Sequence, residues 1–392
     1  MATTPATPNN YSGTNLWAIA TNASHIRGIS GEIQLREFWQ TVGEMNPWTP
    51  HIGAGMDNVI QLNTDFTKEK GDIVHFYLSE ADTGAPADNA KETWGQEEST
   101  KVHQDSVIVD MVTHAKRLRR PLDIQRSVFN VIETLRQYQE QWWTQYGIGK
   151  WITRKLSGLS YFDGASTPVA IGEAAVANTN VMYGGDATGT GDIDDSDKLT
   201  LELAYKAKEG ARLGVIGSST KRILHPCTLM TGGMGFKLFL GPRSVYDLTH
   251  DPDWKDTWKM DIRGQNTMLI KGEGNLPGTM ASPFARIDDM ELYLLPGIIT
   301  ATTWGVNGDV HGEINLFCGA QAGLLARCQG PNWEQEGGFY RQYIGVMVEV
   351  LMGFDKAQFM PAADDLAAPD TTAIDNGVIA LKVAAKNHYT NS

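Results

Sequence analysis

Gly71-Asp72-Ile73-Val74-His75-Phe76-Tyr77-Leu78 and Val102-His103-Gln104-Asp105-Ser106-Val107-Ile108-Val109-Asp110-Met111-Val112 are the two segments on which the fold turns. Both alternate with the two-residue period of a pleated strand, placing Val74, Phe76 and Leu78 on one face and Val107, Val109 and Met111 on another. Between them, residues 79–101 are rich in Gly, Ala, Asp, Glu and Thr and offer almost nothing to bury. A compact enzyme rarely keeps so long a connection unless it closes over a site or reaches a neighbour. After the return strand the period changes. Pro121, Leu122 and Asp123 supply a helix start, and Ile124, Val128, Val131, Ile132, Leu135, Tyr138, Trp142 and Tyr146 recur at three- and four-residue steps. Such a stripe is a burial face rather than a cofactor box. At ~1.5 Å per residue, a helix reaching Leu156 would be roughly 50 Å long, with Gly147 and Gly149 as weak points. That length suits a spine across an extended protomer and tilts the hairpin from lid towards neighbour contact.

Working outward, residues 1–30 are polar and aperiodic, as a flexible arm would be. A short helix is expected over 33–42, with Leu35, Phe38, Trp39 and Val42 on one face, ended by Gly43 and Pro47. Residues 158–198 are loop-rich, and Gly184, Gly185, Gly189 and Gly191 mark turns. A helix is expected over 197–209, with Leu199, Leu203, Ala204 and Ala207 forming its face and Ser196 capping it. Ile223, Leu224 and Met230 predict an internal strand and a turn around His225-Pro226. Residues 236–300 read as short strands and turns with Trp254 and Trp258. Ile344, Val346, Val348 and Val350 alternate again, and Val378-Ile379-Ala380-Leu381 gives a last strand. The class is α+β.

The chain has 392 residues, 41% hydrophobic and 20% charged, enough to bury more than one core. A formal net charge of -13 argues against a protein that coats or wraps a polyanion. Three cysteines, Cys227, Cys318 and Cys328, are too few for a disulfide scaffold and fit a reduced, intracellular product. The first residues lack a basic and apolar leader pattern, and no apolar run reaches roughly 18 residues, so the protein is read as soluble, unsecreted and without membrane association.

Chemistry-bearing motifs are weak in this chain. Asp192, Asp194, Asp195 and Asp197 crowd one loop as calcium ligands would, but Asp197 stands where the sharp-turn glycine belongs and Leu203 where the closing Glu belongs. A solvated acidic turn with a helix-capping role is the better reading. His225 and Cys227 flank Pro226, yet two ligands make no zinc site, and the remaining histidines form no cluster. Gly232-Gly233-Met234-Gly235-Phe236-Lys237 lacks the ending of a phosphate loop and reads as a turn. No nucleophile elbow or isolated carboxylate pair stands out. No catalytic, metal or cofactor site is therefore nominated.

One charge pattern bears on contacts between chains. Lys116, Arg117, Arg119, Arg120 and Arg126 form a basic run, and Glu92, Glu97 and Glu98 an acidic one within the polar loop. In an oligomer an acidic loop tip reaching a neighbour's basic segment would gain attraction and register. A solvated charged surface is the competing reading.

With these residues in view, the chain resembles the major capsid proteins of tailed bacteriophages, specifically the N-four-like podophage family, whose fold is of the HK97 type. The residues that carry the resemblance begin with Gly71 to Phe76, Gly95, Glu97-Glu98, Val109-Asp110, His114-Ala115 and Arg126. They continue with Leu156-Ser157-Gly158, His225-Pro226, the run from Phe317 to Ala322, Gly345 to Val350, and Asn376-Gly377-Val378-Ile379.

The resemblance implies an N-terminal arm over 1–65 and an extended E-loop hairpin over 66–115 lying on an adjacent subunit. It implies a peripheral domain with the spine helix over 116–198, an axial domain over 199–335, and return strands of the peripheral domain over 336–392. Its implied function is self-assembly as hexamers and pentamers into an icosahedral shell around double-stranded DNA. The shell would form in the bacterial host cytoplasm, with scaffold, portal and decoration proteins as further partners. An enzyme with a lid loop and another virion component, such as a decoration or tail subunit, remain the alternatives.

Overall fold

The structure is a computed structural model that describes residues 48–64, 73–79, 102–119, 138–139, 142, 149–159, 177–216, 219–220, 223–256, 283–295, 298–338, 343–358 and 374–385. The first 47 residues of the expected arm with the helix at 33–42, the loop at 80–101 and most of the stripe at 124–146 lie outside these residues. Within the stripe, Tyr138, Gln139 and Trp142 are helical.

In chain order the strands are β1 (Ile52–Gly53), β2 (Ile60–Asn63), β3 (Ile73–Ser79), β4 (Val102–Ile108), β5 (Asp110–Arg119) and β6 (Val181–Tyr183). They continue as β7 (Val215–Ile216), β8 (Ser219–Thr220), β9 (Cys227–Thr228), β10 (Met234–Leu240), β11 (Ala285–Ile287) and β12 (Met290–Leu294). The last are β13 (Ile299–Trp304), β14 (Val310–Cys318), β15 (Gly323–Gly338), β16 (Tyr343–Lys356) and β17 (Val378–Ala384). The described helices are α1 (Lys150–Leu156), α2 (Leu201–Leu213) and α3 (Pro242–His250). Two compact units result, one of residues 1–43, 112–143 and 331–350, the other of 44–111, 144–330 and 351–392.

The larger unit is built on a mixed eight-stranded sheet of order β11-β12-β10-β14-β17-β6, with β13 on β14 and β9 on β10. Strand β10 shows how it is held. Phe236, Leu238 and Leu240 point to one face, where they join Ala204, Ala207 and Ala211 of α2, Leu248 of α3 and Ile379, Leu381 and Val383 of β17. Phe239 points to the other, against Trp48 at 4.5 Å and Tyr293 at 5.3 Å between ring centroids. Because both faces are covered, the central strands β14 and β17 are buried almost throughout, on both sides of the sheet.

Helix α2 begins four residues later than expected. Thr200 is the cap, its hydroxyl accepting from the Leu203 amide at 3.3 Å, and Asp251 accepts from the Leu201 amide at 2.8 Å. Ser196 is drawn away by Asp194, which accepts from both its amide and its hydroxyl. Helix α3 stands where short strands and turns are expected. It starts at Gly241-Pro242, and buried Glu313 of β14 accepts from the amide and hydroxyl of Ser244 at 2.9 and 2.7 Å. Ile223 and Met230, expected inside a strand, are half exposed, and only Cys227–Thr228 pairs there.

The same unit holds part of a five-stranded sheet: β1 and β2 pair in parallel, and β2 pairs in parallel with the start of β15, Ile60 beside Gly323. In the smaller unit β15, β16 and β5 follow one another in that sheet. There Val346, Val348 and Val350 are buried, as their alternation predicts. The buried Gln139 donates to the Val346 carbonyl at 3.0 Å, and Trp142 stacks on His114 with centroids 3.6 Å apart.

Candidate functional site

Strands β3 and β4 pair antiparallel in the register Ile73 opposite Ile108 to Ser79 opposite Val102. Strict alternation gives this ribbon two unlike faces. Val74, Phe76 and Val107 turn inward onto Leu324 and Ala326 of β15 and onto Ala357, with Leu78 and Val109 at the rim. Ile73, Tyr77 and Ile108 turn outward and stay 50%, 58% and 50% exposed. Between them Gln104 and the His75 ring are hydrogen-bonded at 2.6 Å. Three large apolar side chains on one exposed face form a patch of the kind that soluble proteins reserve for contacts.

The expected return strand over 102–112 is broken at Val109, where β4 ends and β5 begins. The break shifts the alternation. Val107 is buried but Met111 is 55% exposed, and Val112 takes the inward position. Asp110 fixes the step by accepting from the Met111 amide at 2.7 Å. Gly353 of β16 makes room for it, since a Cβ there would collide with the Ile108 carbonyl oxygen and meet Val107 Cγ1 at 2.9 Å.

A polar clamp fastens the same ribbon. Asp105 of β4 accepts from the Gln358 amide at 2.8 Å, and burial, aided by the charge of Asp355, pushes its carboxyl up to about 6 against the pull of its hydrogen bonds. The Gln358 side chain in turn donates to Asp375 at 2.7 Å. Asp375 is paired with Lys356 at 2.8 Å, and Lys155 of α1 lies 3.5 Å from Asp355. Sequence reasoning missed this group because its members come from four distant segments and form no local motif.

Of the nominated contact residues, Lys116, Arg117 and Arg119 lie on β5. Lys116 is half-buried, and burial lowers its pKa, whereas Arg117 is exposed. Glu92, Glu97, Glu98, Arg120 and Arg126 lie outside the described residues, as does the side chain of Arg119.

The acidic loop is a set of turns. Asp192 accepts from the amide and hydroxyl of Thr188, and Asp197 accepts from the Asp194 amide at 2.8 Å. Among the described residues no group of three or more His, Cys, Asp and Glu is placed to hold a metal. Gly232 and Gly233 have φ of 96° and 90°, as their turn requires. Cys227 is buried, which raises its thiol to about 11. His51, another buried group, is lowered to about 3 by burial and by the neighbouring Lys237, whose Nζ lies 3.2 Å from its Nδ1.

The family model described as "Phage capsid protein" matches residues 16–276. A curated relative, the "Major capsid protein" of Pseudomonas phage KPP25, is 24% identical over 392 residues, covering 93% of this chain and 98% of that protein. Among solved structures, the capsid of Ralstonia phage GP4 matches with a TM-score of 0.73 and 20% identity, covering 92% of this chain and 97% of that one. The capsid of cyanophage Pam1 matches with a TM-score of 0.66 and 18% identity, covering 90% and 96%. The structural likeness establishes a shared fold, the HK97-type α+β arrangement.

Proposed function

Since the chain belongs to the phage capsid protein family, we propose that it is the major capsid protein of a tailed bacteriophage, a structural subunit that assembles with copies of itself as hexamers and pentamers. The shell they close would be icosahedral and would enclose double-stranded DNA. The observation that carries this reading is the two-faced ribbon β3/β4. Its inner face is satisfied within the chain, whereas Ile73, Tyr77 and Ile108 are left for something else to cover. A second copy is the covering that a self-assembling family supplies.

In this proposal residues 66–115 are the E-loop, residues 1–65 the arm and residues 116–198 the peripheral domain with its spine. Residues 199–335 form the axial domain and 336–392 the return strands. Glu92, Glu97 and Glu98 of one subunit face Lys116, Arg117, Arg119, Arg120 and Arg126 of the next. Rim pairs of this kind contribute only ~0 to 1 kcal/mol each, so they set register more than affinity. The net charge of -13 keeps the packaged DNA from being gripped. Scaffold, portal and decoration proteins, assembly in the host cytoplasm and membership of the N-four-like group complete the proposal.

Electron microscopy of the chain expressed with its phage's scaffold tests it. Closed shells are expected, and stacked rings or monomers would overturn the reading. Deleting residues 83–89 should leave a folded chain that forms shells poorly; normal particles would remove the loop from the argument.

A further inference from the structure

Within the hairpin clamp, Lys356 and Asp375 meet a third side chain, Asn178. Lys356 at the end of β16 is 3% exposed and Asp375 is fully buried. The Lys356 Nζ lies 2.6 Å from the Asn178 side-chain oxygen, 2.8 Å from Asp375 Oδ1 and 3.2 Å from the Ala177 carbonyl oxygen. We propose that Lys356 and Asn178 join in an isopeptide bond within one subunit, with Asp375 as the proton acceptor.

The geometry supplies each requirement of amide exchange. The electrophile is the Asn178 carboxamide carbon, one bond beyond the oxygen that Nζ already touches, so nucleophile and carbon are held near reacting distance. The nucleophile must be the neutral amine. Burial lowers the Lys356 pKa, while Asp375 and Asp355 oppose that shift and Lys155 assists it. The base is in direct contact and fixed: Asp375 Oδ2 accepts from the Thr179 amide at 2.8 Å, and its Oδ1 accepts from Gln358 at 2.7 Å. The leaving nitrogen is unrestrained, since Asn178 Nδ2 is buried without a hydrogen-bond partner among the described residues. Gly158, at φ +70°, leaves room for the carboxamide, because a Cβ there would lie 3.1 Å from the Asn178 side-chain oxygen and 2.9 Å from its backbone nitrogen.

The step balances without any oxidant or cofactor. One Nζ proton passes from the ammonium to Asp375, and Nζ then attacks the Asn178 carbon. A second Nζ proton passes to Nδ2 as the carbon–Nδ2 bond breaks, and ammonia departs. Asp375 passes its proton to the departing ammonia, which leaves as ammonium. The new bond would tie the end of β16 to the segment before β6, two positions 178 residues apart in sequence. It differs from any linkage between subunits because all three groups belong to one compact unit.

Mass spectrometry of the denatured, purified chain, with a tryptic map, tests the proposal independently of whether shells form. The expected result is a chain lighter than its sequence by one ammonia and a branched peptide joining Asn178 to Lys356, with no cleavage after Lys356. Asp375→Asn should restore the sequence mass. If that variant fails to fold, the wild-type map decides alone. A folded wild-type chain at full sequence mass, cleaved normally at Lys356, would overturn the proposal. So would loss of ammonia confined to a linear peptide, as from ring closure at Asn376-Gly377.

Discussion

Phe76→Ala and Tyr77→Ala separate what the two faces of the β3/β4 ribbon do. Phe76 is 4% exposed and packs among Val74, Val107, Leu324, Ala326 and Ala357. An aromatic side chain buries ~200 Å², which at ~25 cal/mol per Å² sets an upper bound near 5 kcal/mol. The observed range for Phe→Ala in cores is ~3 to 5 kcal/mol. The ribbon is packed on one side only, so the lower end applies, about 3 kcal/mol. Phe76 is not part of the core that joins α2, α3 and β10, so the loss falls on attachment of the ribbon. Hydrogen exchange should therefore accelerate by roughly 100-fold at β3 and β4 amides, at 1.4 kcal/mol per tenfold, while β10, β14 and β17 stay protected. Tyr77→Ala, on the outer face, should change neither exchange pattern nor melting temperature, yet should impair shell formation. Unchanged exchange in Phe76→Ala, or equal destabilisation by Tyr77→Ala, would refute the assignment of inner and outer faces.

Three further outcomes are expected. Asp105, raised to about 6 in the fold against ~3.9 in the open chain, binds more protons when folded; its stabilisation is complete below about pH 4 and lost as pH rises through about 6. Asp105→Asn should remove that slope and recover at most about 3 kcal/mol at pH 7, seen as ribbon protection factors that no longer fall between pH 4 and 7. Gly353→Ala should drive β16 and β4 apart and lower stability by ~1 to 3 kcal/mol, measurable by denaturant unfolding. Glu313→Ala strands the amide and hydroxyl of Ser244 and should cost ~1 to 3 kcal/mol, with exchange rising first in α3.

How much could be read from the chain depended on whether a residue's role was set locally. Val74, Phe76, Val346, Val348 and Val350 were legible because each strand buries one face and leaves an alternating trace. The same logic hid β14, whose run Ile314-Asn315-Leu316-Phe317-Cys318 is buried on both faces and carries no period. Helix α3 hid behind Gly241-Pro242, a pair that reads as a turn but is also a helix start when Pro occupies the first position. Ser196 and Thr200 are both sound caps by residue type, and the choice was made by Asp194, which occupies Ser196, and by Asp251, which caps α2 from fifty residues away. The contact surface was half legible, since alternation predicts two faces but not which one the body covers. The group of Asp105, Lys356, Asp375 and Asn178 was not legible at all, because only folding brings its members together.

The contrast between the ribbon and the sheet beneath it bears on how such a subunit can build a closed shell. Hexamers and pentamers put the same chain in unequal surroundings, so one part must deform while another keeps its shape. The eight-stranded sheet is covered on both faces by α2, α3 and aromatic side chains, and its distortion would open a cavity in a close-packed core. The ribbon is a two-stranded sheet, marginal by itself, held by three inward side chains and the Asp105–Gln358 bond. Its attachment is therefore worth a few kcal/mol, small enough to adapt and large enough to aim the exposed Ile73, Tyr77 and Ile108. An isopeptide bond from Lys356 would fix the ground to which the ribbon is fastened, because Gln358, two residues beyond, carries the amide that Asp105 holds. Rigidity would then be added beside the ribbon rather than within it, which is where a subunit that must adapt to two symmetries can take it without loss.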